Sequence, residues 1–158
     1  MRLKDKAIIV TGGTSGIGAA IATAAIREGA KVLVHGINEA EGKATVERLG
    51  ANAVLCIADL TEDDAPKIIV DSAVKAFGKI DGLVNNAAIF GGTNISDQEI
   101  EHFRAMIQVN LTAPLFLIKA AFEELKKSGG SVLNIGSINA YAGESKLLAR
   151  SEEHTSEL

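Results

Sequence analysis

Ala7 to Gly18 reads AIIVTGGTSGIG, and this stretch decides the fold. Residues of strand character (Ala7, Ile8, Ile9, Val10, Thr11) run directly into Gly12, Gly16 and Gly18, and the helix-forming segment AAIATAAIREG follows at once. A strand, a tight glycine turn and a helix N-terminus together make an anion site. Backbone N–H groups and the positive end of the helix dipole converge on whatever sits in the turn. Glycine is required because a Cβ would block close approach of a pyrophosphate and penalise positive φ. The spacing is G-x-x-x-G-x-G, not the commoner G-x-G-x-x-G, and without a G-K-[ST] the stretch is no P-loop. Thr14 and Ser15 offer hydroxyl donors to an anion, and Ile17 stands between the last two glycines. Taken alone, the stretch leaves open a glycine turn that holds no ligand.

Outward from the turn, composition sets the class. The chain has 158 residues, 47% of them hydrophobic, with two prolines and no tryptophan. That is one domain's worth of chain and reads as compact α/β. A formal net charge of −4 offers no electrostatic footprint for nucleic acid. No apolar run stands out as membrane-spanning, and MRLKDK leads straight into the first strand, so the expectation is a cytoplasmic protein without leader or anchor. The single cysteine, Cys56, lies in the apolar run AVLCIA and is expected to be a buried strand residue.

Strands and helices then alternate at βα spacing, the mark of a parallel doubly wound sheet. Strands are expected at Lys31 to His35, Ala53 to Ile57, Ile80 to Val84 and Ser131 to Ile135. Asn38 with Glu41 forms a capping box for a helix ending near Gly50. Thr61 and the acidic run Glu62, Asp63, Asp64 suit a helix start, with Gly78 as its stop. Ser96 with Glu99 is a second capping box, opening a long helix to about Lys127. Right-handed crossovers give a three-layer α/β sandwich with strand order 3-2-1-4-5.

The first 149 residues resemble the short-chain dehydrogenase/reductase family. TGGTSGIG at Thr11 to Gly18 is similar to the family's cofactor motif, and Asp59-Leu60 falls where the family places an acid near the adenine. NNAA at Asn85 to Ala88 is similar to its NNAG motif, with Ala88 in place of glycine. Asn110 in QVNLTAP and Ser137 in NIGS match its active-site Asn and Ser. The resemblance implies hydride transfer between NAD(H) or NADP(H) and a small alcohol–carbonyl pair, in a homodimer or homotetramer. It also implies cofactor contacts from Gly12, Thr14, Ser15, Gly16, Ile17, Gly18, Asp59, Leu60, Asn86 and Ala87. In the family, Asn86-Ala87 stabilises the sheet and lines the nicotinamide side, Ser137 holds the substrate oxygen, and Asn110 supports a proton relay.

Asn110 also has a physical reason to stand out. Pro114 lies four residues on and has no N–H, so the Asn110 carbonyl loses its helical donor and is free to hold a water. Ser137 is expected at the end of the fifth strand, on the carboxyl edge where open α/β sheets bind ligands. Cofactor choice leans to NADP. The strand-two position that carries a carboxylate in NAD enzymes is Gly36, Ile37 stands where NADP-preferring members often have Arg, and His35 is within reach of a 2′-phosphate.

The family's catalytic Tyr-x-x-x-Lys is missing: its spacing from Ser137 lands on Arg150 and His154. Tyr141 and Lys146 are wrongly spaced to share a helix face, and Tyr141 reads as a loop residue. The tail RSEEHTSEL breaks sharply in composition, and codons allowed for it spell a common sequencing-library adapter. Residues 150–158 are therefore expected to be adapter read-through on a partial domain, 1–149, that is inactive as written. Strand five would then be an exposed apolar edge. A non-catalytic dinucleotide-binding or sensor module is the alternative.

Overall fold

A computed structural model describes residues 1–91 and 99–137. The capping Ser96 and every residue from position 138 on, Tyr141, Lys146, Arg150 and His154 among them, lie outside the described residues. The described chain runs β1 (Ala7–Val10), α1 (Gly16–Arg27), β2 (Lys31–Gly36), α2 (Glu39–Leu49), β3 (Ala53–Ile57), α3 (Ala65–Phe77) and β4 (Gly82–Asn85). It continues with α4 (Ile100–Ile107), a π-helical turn (Gln108–Thr112), α5 (Ala113–Ser128) and β5 (Ser131–Asn134). The five strands pair in parallel in the order β3-β2-β1-β4-β5, as expected.

Both faces of the sheet are covered, and the period-two alternation of β1 divides them. Ile8 and Val10 join Val32, Val34 and Val84 against Ala22 and Ala25 of α1. Ile9 points the other way, with Leu33 and Leu83, onto Ile69 and Ala73 of α3 and Leu117 and Ala121 of α5. Strands buried on both faces read as continuous apolar runs, which is why AIIV and VLV carry no polar residue. Cys56 is buried in β3. β5 closes the sheet with Val132 and Leu133 exposed, the open edge that was expected.

Several boundaries differ from the sequence reading, each for a local reason. α3 begins at Ala65, not at Thr61, because Asp59 folds Thr61 into a turn first and Pro66 opens the helix proper. β4 starts at Gly82 instead of Ile80, because Asp81 bonds sideways to the head of β1. The long helix runs from Ile100 to Ser128 as expected, with a π-turn inside it. Pro114 has no N–H to donate, and the Ala113 N–H reaches back to the Gln108 carbonyl in a π-turn. Taken end to end, Ile100–Ser128 is long and apolar enough to cross a bilayer, which corrects the expectation that no run reaches that length. In the fold its inner face, Val109, Ala113, Leu117, Ala121 and Leu125, belongs to the sheet's core.

The amino edge of the sheet is closed by one carboxylate. Asp81 accepts from the Ala7 N–H (2.9 Å) and pairs with Lys6 and Lys79, both at 2.9 Å. Burial alone would raise its pKa, but the Ala7 bond, Lys79 and Lys6 outweigh it and hold the group at about 2.

Candidate functional site

At the opposite edge, β1 leaves the sheet into the glycine turn, and three neighbours pin that turn. Gly12 (φ +60°) packs so closely on the loop after β4 that a Cβ would lie 2.9 Å from the Ala87 Cα. A Cβ on Gly18 would lie 2.1 Å from the Gly12 carbonyl, so α1 can seat on the turn only with glycine there. Asn86 donates its amide to the Thr11 and Gly12 carbonyls (2.9 and 3.2 Å). The Asn86 and Ala87 N–H groups both donate to the Thr11 hydroxyl at 3.0 Å. Buried Thr11 thus locks β1 to the loop after β4, a role the sequence motif alone did not assign.

The third neighbour is His35, and here the structure corrects the sequence reading. The ring is buried. The Gly12 N–H donates to its Nδ1 (3.3 Å), and its Nε2 lies 3.0 Å from the Ala58 carbonyl. An N–H can only donate and a carbonyl can only accept, so these partners select the neutral Nε2–H tautomer. Burial pushes the imidazole below its ordinary pKa, against the Ala58 carbonyl and the Asp59 charge, which pull upward. His35 therefore offers nothing to a 2′-phosphate; it holds the turn. It also takes Gly12 out of the anion cradle, and the Gly13 N–H is used too, on the His35 carbonyl.

The donors left for an anion are those of the first turn of α1, at Gly16, Ile17 and Gly18, which have no intrahelical partner. Ser15 is the N-cap in extended conformation, and its side chain makes no capping bond. Beside them a cavity of about 700 Å³ opens along the carboxyl edge. Of the expected cofactor residues, Gly12, Thr14, Ser15, Ile17, His35, Asp59, Leu60, Asn86 and Ala87 line it, whereas Gly16 and Gly18 are not among its lining residues. Thr14 departs from its expected use: its hydroxyl donates to Glu41 Oε2 (3.3 Å). Asp59 accepts from the N–H and hydroxyl of Thr61 (2.9 and 2.8 Å), and these bonds lower its pKa.

Asn110 sits in the π-turn, and its side chain clasps the loop after β4. Its amide donates to the Ile89 carbonyl (2.9 Å), and its Oδ1 accepts from the Ile89 N–H (3.0 Å). Ile89 lines the cavity, so Asn110 shapes the wall through a backbone clamp. The expected free carbonyl remains without an i+4 donor because of Pro114. Ser137 follows β5 by three residues instead of ending it, just beyond Ile135 and Gly136, which line the cavity.

Comparison with known proteins decides the family. Residues 6–149 match the short chain dehydrogenase family. The chain belongs to this family. It is 40% identical over 146 residues to the short-chain dehydrogenase/reductase FrzI of a Cladobotryum species, covering 89% of this chain and 56% of that protein. It is 38% identical over 143 residues to the 3-alpha-(or 20-beta)-hydroxysteroid dehydrogenase of Mycobacterium tuberculosis, covering 90% of this chain and 55% of the other. The L-fucose dehydrogenase of Bos taurus is 35% identical over 146 residues, 92% of this chain and 54% of its own length. The chain thus spans about half the length of these short-chain dehydrogenase relatives. At the site of this family member the sequence left Thr45 unread and read Glu41 only as a capping residue. Thr45 donates to the Thr14 carbonyl (2.8 Å), and Glu41 meets the Thr14 hydroxyl, both from α2. Their helical spacing was visible; their aim at a turn far back in the chain was not.

Proposed function

We propose that the complete protein is an oxidoreductase that moves a hydride between a nicotinamide dinucleotide and a small alcohol or carbonyl compound. The observation that carries this is the cavity at the carboxyl edge, opening on the N-terminus of α1 beside a glycine turn held rigid from three sides. The residues present fit the cofactor. A Cβ at Gly16 would meet nothing within 4 Å, leaving open space before the first-turn N–H groups, and the volume lies in the range of small-ligand clefts. The dinucleotide supplies the hydride donor or acceptor when bound. Gly16, Ile17 and Gly18 hold its diphosphate through backbone N–H groups, and Ser15 adds a hydroxyl. Asp59 and Leu60 wall the adenine end, and Asn86 and Ala87 border the nicotinamide end. Ser137 holds the substrate oxygen by hydrogen bond, and Asn110 keeps the wall at Ile89 in position.

The proton needs a further group. The chain's one tyrosine, Tyr141, follows Ser137 by four residues, too close for the family's spacing, and Arg150 stays protonated at neutral pH. We therefore assign the proton donor to a Tyr-x-x-x-Lys segment of the complete protein and hold the 158-residue chain to be inactive as written. The exposed apolar side chains Phe103 of α4, Leu111 of the π-turn and Leu115, Phe116 and Phe122 of α5 support a homo-oligomer.

The test is NADH and NADPH oxidation with a panel of carbonyl compounds, by this chain and by one extended with such a segment. Turnover is expected only from the extended protein, and Ser137→Ala in it should cut the rate at least about a hundredfold. Equal turnover by both chains overturns the assignment of the proton donor. Cofactor binding without turnover in the extended protein marks a non-catalytic dinucleotide-binding module instead.

A further inference from the structure

The sequence lean to NADP rests on the missing carboxylate at the end of β2, and the structure explains why no side chain stands there. A Cβ on Gly36 would lie 2.5 Å from Thr14 Cγ2 and 3.0 Å from Thr14 Oγ1. Thr14 fills the place where that acid would sit. Its own position is set from α2: Thr45 donates to its carbonyl (2.8 Å), and its hydroxyl donates to Glu41 (3.3 Å). Glu41 is held at its other end as well, its N–H on Asn38 Oδ1 (3.1 Å). The Asn38 cap forms as the capping-box reading expects, but the Glu41 side chain turns to Thr14 rather than back to Asn38. A carboxylate therefore arrives beside Gly36 and Ile37 by a different route.

Resting on the dinucleotide reading above, we infer that Glu41 makes this a site for the dinucleotide without a 2′-phosphate, NAD(H). Among the cavity's lining residues the ionised side chains are Glu41 and Asp59, both negative, and His35 is held neutral by burial. Among the described residues no lysine or arginine lines it. The nearest cation on α2, Lys43, pairs with Glu39 at 2.7 Å and borders a separate shallow hollow with Ile37 and Asn38. A ribose 2′-hydroxyl can donate a charge-assisted hydrogen bond to a carboxylate, whereas a 2′-phosphate there meets like charge with no counter-ion. Glu41 thus takes up the discrimination that a strand-end acid performs elsewhere in this fold.

The experiment is titration of NADH and NADPH into the chain, followed by cofactor fluorescence, for wild type, Glu41→Gln, Glu41→Lys and Lys43→Ala. Wild type should bind NADH at least about tenfold tighter than NADPH, Glu41→Gln should narrow that ratio by about tenfold, and Glu41→Lys should invert it. Lys43→Ala should leave the ratio where it is. Competition by 5′-AMP and 2′,5′-ADP against wild-type protein reads the same preference without any variant, and 5′-AMP should compete better. Tighter NADPH binding by wild type, or a ratio that follows Lys43 and ignores Glu41, overturns the inference and leaves the dinucleotide reading standing. If folded wild-type chain binds neither nucleotide, the dinucleotide reading falls and this inference with it.

Discussion

The two edges of the sheet treat charge in opposite ways. At the amino edge Asp81 is buried, takes the Ala7 N–H and is flanked by Lys6 and Lys79. Its charge is matched on the spot, and the group joins the start of β1 to the start of β4. At the carboxyl edge Glu41 and Asp59 face a cavity with no cation among its described lining residues. Their partners there are hydroxyl and N–H groups, not counter-ions. A matched charge near the core fastens chain to chain; an unmatched one at a cavity mouth is left to select what enters.

If the carboxyl edge depends on close backbone contact, its glycines should be the least forgiving positions. Gly18→Ala places a methyl 2.1 Å from the Gly12 carbonyl oxygen and 2.5 Å from the Asn86 side-chain amide, itself pinned to that turn. The expected loss is about 3 kcal/mol or more in urea unfolding, together with loss of NADH binding. Wild-type stability in that variant would break the account of the turn.

The amino edge should answer to acid instead. Asp81 sits at about 2 in the fold against an ordinary 3.8. A carboxylate with a lowered folded pKa contributes stability that is fully present above its unfolded value and is lost as pH falls through the folded one. The contribution at neutral pH is about 2 kcal/mol. Asp81→Asn should lose about that much at pH 7, and its deficit against wild type should shrink as pH falls from the unfolded value towards the folded one. A deficit constant with pH would mean that the charge does not matter at this edge.

His35 sharpens the contrast with a smaller effect in a different pH window. Its folded pKa lies below the ordinary 6.5 because it is buried neutral, so the unfolded chain binds the proton first. Stability is full above the unfolded value and falls as pH drops below it, since a protonated Nδ1 can no longer accept from Gly12. Wild type should lose stability relative to His35→Leu between pH 8 and pH 5, read from urea midpoints. Parallel curves would remove His35 from control of the turn.

Much of this architecture is legible in residues close together in the chain. Apolar runs that bury both strand faces, Asn38 before α2 and Gly78 after α3 act within a few residues of themselves, and the structure follows them. The boundaries that moved did so through partners farther off: Asp81 reaches back to Ala7 and shortens β4. The π-turn in the long helix is an intermediate case. Pro114 was visible as a disturbance, but the backbone could answer it with a kink or a π-turn, and the structure shows the π-turn, with Val109 inside it and Ala113 just after it in the sheet's core.

Sequence alone thus determined the parallel sheet and its order, because continuous apolar strands, βα alternation and right-handed crossover leave little else open. It also marked the glycine turn as the place where a ligand would sit. Tertiary structure decided how the turn's neighbours are used. His35 became a neutral brace when the end of β2 came to lie beside Gly12, and Thr14 excluded a side chain at Gly36 while taking Glu41 as its partner. Such assignments depend on where separate βα units dock, over distances of a few ångströms. No local pattern encodes a hydrogen bond between residues 27 positions apart.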